Sequence, residues 1–238
     1  YIFGPGRTVA SIAVVMACMG VVVQMMTATG LSSKISQFAL SIAGDNLIIL
    51  ALVVALTCTL FGMGMPSASA YILAALLGAP ALVSFGVPLV VAHFFVFYFA
   101  EMSALTPPVA IGCLVASGLA NAKFLKTCVI ALRLAIMGFV LPFLFLYRPA
   151  LLLQGTAFEW FWAVLMVVCF LFCFIIVCEK YFRIQTTLAE RIAAGVGALC
   201  CIIPVYVMDF IGLALFLFLI VSQQRRVKRE GLASRSQA

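Results

Sequence analysis

The stretch "FGMGMPSASAYILAAL", residues 61–76, decides how this chain folds. It lies inside an apolar run that starts at Leu47, and it breaks that run with two glycines and a proline. Gly62 and Gly64 permit positive φ and close backbone approach, and Pro66 lacks an N–H but suits the first turn of a new helix. One helix therefore ends near Phe61 and another starts near Pro66. The carbonyls of the first end and the N–H groups of the second start are left without helical partners. In hydrocarbon each such orphan costs several kcal/mol, so the break is either a surface turn or a tip enclosed by protein or a water-filled cavity. Surface turns between membrane helices are usually charged. This one carries Met63 and Met65 and no charge, with Ser67 and Ser69 just beyond, which favours the enclosed tip. The Gly-Met-Gly spacing is no nucleotide-binding loop, because no strand precedes it and no further glycine or Gly-Lys follows at the right distance.

Composition supplies the hydrocarbon. Hydrophobic residues make up 66% of the 238 and charged residues 9%, against near half and a quarter in soluble domains. The runs are continuous and not alternating, so the chain reads as an all-α polytopic protein of the lipid bilayer. The net charge of +7 does not point to nucleic acid, because the basic residues fall in short segments between apolar runs. No Ser–His–Asp or Cys–His set is available with one histidine, and no carboxylates are paired, so no enzyme and no cofactor are expected. The nine cysteines show no metal or disulfide spacing and read as small buried hydrophobes. The chain starts "YIFGPGRT", without Met or a signal peptide, and reads as the C-terminal piece of something longer.

Along the chain, residues 1–46 hold one spanning helix, ended by Gly30, and an amphipathic segment with Leu31, Ile35, Phe38 and Ile42 at helical spacing, expected to lie at the interface. Residues 47–86 form a helical hairpin around the break, and 87–156 hold a broken helix and a following span over 127–147. Residues 157–222 add a span with Trp160 and Trp162 as interfacial anchors, then a segment that goes in and returns around "IPVYVMD" at 203–209; residues 223–238 are a basic tail without expected order. If 87–120 crosses once, then Arg7, Lys123, Lys126, Lys180, Arg183, Arg191 and the tail's basic residues share one side, with Lys34 and Arg148 opposite. That asymmetry puts the basic side, and the C-terminus, in the cytoplasm. Charge alone leaves open whether 45–86 is two full spans or a re-entrant hairpin; the chemistry of the tip favours re-entry.

A second break lies at "SALTPPVAIG", residues 103–112. Pro107 and Pro108 remove two donors, which frees the carbonyls of Leu105 and Thr106 at mid-membrane depth beside the Thr106 hydroxyl. Such hard oxygens suit Na⁺, and the helix that starts at Val109 offers partial positive charge to an anion. Broken helices cluster at transporter binding sites. Glu101, an intramembrane acid in the same segment, is expected to help couple a cation or proton, to sit near the outer end, or to pair with Ser103 or Tyr98 and face protein. His93 reads as an interfacial polar residue, Arg133 as a snorkelling or paired cation, and Asp209 as a helix cap. The competing class is a membrane scaffold or assembly module whose breaks are structural kinks. A channel is a weaker rival, since rings of like charge are absent.

The residues "LFGMGMPSASAYILAALLGAPALVSFGVPLVVAHFFVFYFAEMSALTPPVAIGCLVASGLA", with "RPALLLQG" at 148–155, resemble the second half of the large permease subunit of tripartite ATP-independent periplasmic (TRAP) transporters. The likeness is nearest to fused permeases that work with TAXI-type binding proteins, and covers roughly residues 8–156; the remainder looks like an accessory extension. The resemblance implies an elevator-type secondary transporter of two inverted repeats, this chain holding the second. It implies Na⁺-driven uptake of small organic anions delivered by a periplasmic binding protein, across a bacterial inner membrane. Carried onto this sequence, the hairpin tip is Gly62, Met63, Gly64, Met65, Pro66 and Ser67, and the broken-helix loop is Leu105, Thr106, Pro107, Pro108 and Val109. Together they would form a Na⁺ site near Gly62, Gly64 and Thr106 and half of the substrate cavity. The chain departs from the family's common pattern at Ala110, where glycine is usual, and lacks the acidic residue many relatives carry at the tip.

Overall fold

A computed structural model describes residues 3–179, 186–202 and 205–235. Among these residues there are helices and no strand. The chain divides into two compact units, Tyr1–Leu146 and Tyr147–Ala238. Four helical stretches are long and apolar enough to cross a membrane: Ser67–Ser84, Phe124–Tyr147, Ala157–Cys178 and Val207–Gln224. The bent pair Met16–Ala28 and Leu31–Ala43 makes a fifth if it is one span. The protein is an all-α polytopic membrane protein.

In the first unit α1 (Phe3–Ala28) ends at Gly30, whose φ of 65° turns the chain into α2 (Leu31–Ala43). The expected amphipathic segment is there, but its buried side is Ser32, Ser36, Ala39 and Ala43, while Leu31, Phe38 and Ile42 are exposed. The small face packs on the hairpin, with the Ser36 hydroxyl donating to the Leu77 carbonyl at 3.2 Å. Lipid is as apolar as leucine, so membrane helices bury small residues and turn large ones outward.

The hairpin is α3 (Leu47–Gly62) and α4 (Ser67–Ser84). Asn46 starts α3, its side-chain oxygen accepting from the N–H groups of Ile48 and Ile49 at 2.9 and 3.2 Å. At 16 and 18 residues the arms are ~24 and ~27 Å long. Helix α5 (Leu89–Met102) packs against both arms. The three helices pack closely at Gly78, where an added side-chain carbon would lie 2.7 Å from Val54 Cγ1, 2.8 Å from Cys58 Sγ and 3.0 Å from Val96 Cγ1. The inner faces of α3 and α4 carry Ala51, Ala55, Cys58, Ala70 and Ala74, and the outer face of α3 carries Leu52, Leu56 and Leu60.

Helix α5 stops at a 3-10 turn (Ser103–Leu105), and the chain resumes as α6 (Ile111–Leu119). Then α7 (Phe124–Leu134) and α8 (Ile136–Tyr147) make one apolar crossing with an offset at Ala135. Rings of α8 stack edge-on against α5, Phe143 on Phe95 and Phe145 on Tyr98.

The second unit has a 3-10 turn (Pro149–Leu152), then α9 (Ala157–Glu179), α10 (Leu188–Ile202) and α11 (Tyr206–Arg235). Thr156 with Glu159 and Thr187 with Glu190 form reciprocal caps, each glutamate accepting the threonine N–H at 2.9 Å. Glu190 also accepts from Ser222 and Gln223 of α11, which ties α10 to α11. Three expectations change here. Residues 223–235 continue α11 and are not an irregular tail. Asp209 is no cap: it is 2% exposed and takes a bidentate ion pair from Arg148. Trp162 is not purely an interfacial anchor, since its indole N–H donates to Asp209 at 2.8 Å. A charged pair removed from water needs all its hydrogen bonds, which is why these three side chains converge. Lys180, Arg183, Ile203 and Pro204, used in the topology reading, lie outside the described residues.

Candidate binding site at the two helix breaks

The two breaks meet. Gly62 closes α3 flat against the end of α5: a side-chain carbon there would come 2.8 Å from Ser103 Oγ and 3.2 Å from the Ala100 carbonyl. Gly64 turns the tip with φ of 80°; a carbon added to it would sit 3.5 Å from Val109 Cγ1. Pro66 stands extended at the head of α4, its carbonyl taking the Ala70 N–H at 2.9 Å. Ser67 then reaches across to α5, its hydroxyl donating to Glu101 Oε2 at 2.9 Å. The tip thus touches the broken helix at Ser103, Val109 and Glu101.

The enclosed tip of the sequence reading is enclosed on this side only. Gly62 is buried, Met63 and Met65 are half-buried, and Gly64, Pro66 and Ser67 are exposed. Met63 is extended at ψ 131° and ends α3. Met65 turns away from the second break and packs against the cluster of Met26, Leu73 and Leu77. Ser69 likewise turns aside, to the Met16 sulfur at 3.6 Å.

In the second break the Thr106 hydroxyl donates back to the Met102 carbonyl at 2.9 Å, and its N–H to the Ser103 carbonyl at 3.2 Å. Thr106 keeps its hydroxyl lone pairs, and among the described residues no backbone N–H reaches the carbonyls of Thr106 or Pro107. Among the described residues the Leu105 carbonyl receives the Cys113 thiol at 3.7 Å, and its side chain packs on Ala110, Cys113 and Cys128. Pro107 and Pro108 are joined by a cis peptide, and Val109 is exposed beside the tip. Ala110 then enters α6 with φ 39° and ψ 58°.

Glu101 pairs with neither Ser103 nor Tyr98. It faces the tip, and its second oxygen, Oε1, is buried with no hydrogen-bond partner among the described residues. Ser103 was not singled out as a contact with the tip, and the small size of Gly62 was the one signal for it. His93 is half-buried, with Nδ1 3.0 Å from the Tyr71 hydroxyl. No disulfide joins the cysteines, and among the described residues no group of three or more His, Cys, Asp or Glu side chains could hold a metal ion.

A site of backbone carbonyls, hydroxyls and one carboxylate, set where helices end inside an apolar chain, can bind a hard cation or present helix dipoles to a polar solute. Comparison with known families gives the chain a family. The family described as "Tripartite ATP-independent periplasmic transporter, DctM component" matches residues 2–161. No curated protein and no solved structure matches the chain. The match takes in both helix breaks and runs into α9. The chain therefore belongs to the DctM component family of tripartite ATP-independent periplasmic transporters.

Proposed function

We propose that this chain is the membrane permease component of a sodium-coupled secondary transporter. It imports small organic anions, carboxylates in particular, from a periplasmic binding protein of TAXI type. It sits in a bacterial inner membrane with its C-terminus in the cytoplasm, and 47–86 acts as a re-entrant hairpin. The observation that carries this reading is the meeting of the hairpin tip, 62–67, with the end of α5 and the break that follows it, through Ser67–Glu101, Gly62–Ser103 and Gly64–Val109. Their carbonyls and the Thr106 hydroxyl supply oxygens for Na⁺, and the start of α6 supplies a positive dipole end for a carboxylate.

Thermal stability of the intact protein in detergent tests it, with NaCl titrated against KCl at constant total salt. An ion bound only by the folded state stabilises by about 2.7 kcal/mol at roughly a hundredfold over Kd. A rise specific to Na⁺, diminished in Thr106→Ala, is the expected result. Superimposable curves in both salts would make the breaks structural kinks, as in a membrane scaffold.

A further inference from the structure

Three apolar spans have an end at one cavity of about 280 Å³. Tyr147 closes the span that begins at Phe124, Trp162 stands in the second turn of α9, and Asp209 stands in the first turn of α11; all three line the cavity. Every lining residue belongs to the second unit. Span ends put the cavity at the level of lipid headgroups, where tyrosine and tryptophan collect.

The charges of the lining do not cancel. Arg148 and Asp209 are buried and paired, and Trp162 adds its N–H to the same aspartate. Glu159 also lines the cavity, and it is exposed. Its Oε2 accepts the Thr156 N–H at 2.9 Å, and Gly155 leaves room for it: a side-chain carbon there would lie 2.5 Å from that oxygen. An ionised carboxylate accepts about four hydrogen bonds, and this cap uses one of them. The wall therefore offers a carboxylate fixed in place with accepting capacity left, while the lining's own cation is matched to Asp209.

Apolar surface adjoins this polar wall. Phe158 stacks on Trp162 at 6.3 Å and Phe210 packs on it at 5.4 Å, and the two phenylalanines are 66% and 59% exposed. Acyl chains can lie on these rings while a polar group enters the cavity beside them. The cavity falls just below the ~300–1,000 Å³ of sites that enclose whole small molecules. It has room for a headgroup and not for the chains that carry it.

We propose that this cavity binds the headgroup of a phospholipid that carries a primary amine. The ammonium donates to the Glu159 carboxylate, the phosphate faces the Gln154 amide in the lining, and the acyl chains run over Phe158 and Phe210. A primary ammonium gives charge-assisted N–H bonds to a carboxylate. A phosphoglycerol headgroup brings net negative charge towards Glu159, and a choline headgroup has no N–H to donate. The assignment needs only the membrane spans and stands apart from sodium coupling.

Trp162 reads the occupant directly. The variant Trp160→Phe leaves it as the chain's one tryptophan. The intact protein is placed in nanodiscs of phosphatidylcholine that contain a minor fraction of lipid brominated high in its acyl chains, because bromine quenches tryptophan on contact. Brominated phosphatidylethanolamine should quench Trp162 at least threefold more than brominated phosphatidylglycerol or phosphatidylcholine at the same fraction. Glu159→Gln keeps the cap, since glutamine accepts the same N–H, and should lose that preference. Ala163→Met fills the cavity from its buried wall, leaves Glu159 in place, and should lose it too. Equal quenching by the three lipids in the protein with Glu159 intact overturns the proposal, whatever the variants do. A preference that survives Glu159→Gln overturns the assignment of the ammonium to Glu159. Soluble glycerophosphoethanolamine that alters Trp162 emission, with no preference among the brominated lipids, would make this a site for a free amine and overturn the lipid.

Discussion

Ala110 holds the left-handed conformation in which a side chain costs about 1–2 kcal/mol, yet its methyl is fully buried with Cys113 and Cys128. Glycine at this position removes the strain. It also loses a buried methyl worth about 0.8 kcal/mol and frees the unfolded chain by roughly 0.5–1 kcal/mol. The terms nearly cancel, so Ala110→Gly should leave the melting curve within about 1 kcal/mol of the parent. Ala110→Val adds branched carbons to a strained and filled position and should cost roughly 2–4 kcal/mol. Thermal unfolding of both variants in detergent checks the pair; a tolerated valine would mean that the loop does not turn left-handed here. At this scale the sequence was legible where residue type forces geometry. Pro107 and Pro108 announced the break, and Gly62 and Gly64 announced the tip. It was silent where an ordinary residue does an unusual thing, as Ala110 does. It was also silent where the partner is remote: nothing near Ser67 in the chain says that it bonds Glu101.

The hairpin is held by small residues, and Gly78 leaves no room for a side chain between α3, α4 and α5. A methyl there meets Val54, Cys58 and Val96 at 2.7 to 3.0 Å, and a β-branched neighbour has little freedom to move aside. Gly78→Ala should destabilise by about 1–3 kcal/mol through overpacking. Val54→Ala in the same chain should return part of that loss, and a double-mutant cycle in detergent measures the coupling. Helix positions were legible at this scale because apolar runs and their punctuation by Gly30 and Pro66 carry direct physical meaning. Which side of each helix is buried was not. Periodicity marks α2 as two-faced, but only the choice of solvent decides that Ser36 packs inward on Leu77 while Phe38 stands outward. The C-terminal break at Asp209 was misread for a related reason. An acid beside a helix start resembles a cap until Arg148, far away in the chain, is folded against it.

Two compact units make up the molecule, and the family match ends inside the second of them, at residue 161. Arg148 lies within the matched region and Asp209 beyond it, so a buried ion pair ties the unmatched C-terminal helices to a residue of the matched part. Removing one partner of such a pair strands the other charge and costs about 3–5 kcal/mol, whereas replacing both with apolar side chains is often neutral. Asp209→Asn should therefore destabilise the second unit by about that amount. The double variant Arg148→Met with Asp209→Leu should recover most of it, less the bond from Trp162. The reporter is already in place: the chain's two tryptophans, Trp160 and Trp162, both lie in α9. Their fluorescence during thermal unfolding follows the second unit, while the Na⁺ effect expected of the proposed site would report on the helix breaks of the first. A lower tryptophan transition in Asp209→Asn with the Na⁺ effect retained would show that the C-terminal unit is a separately anchored element. Loss of both together would show that the pair sustains the transport unit itself. An equal loss in the single and double variants would mean that Arg148 and Asp209 act by shape and not by charge.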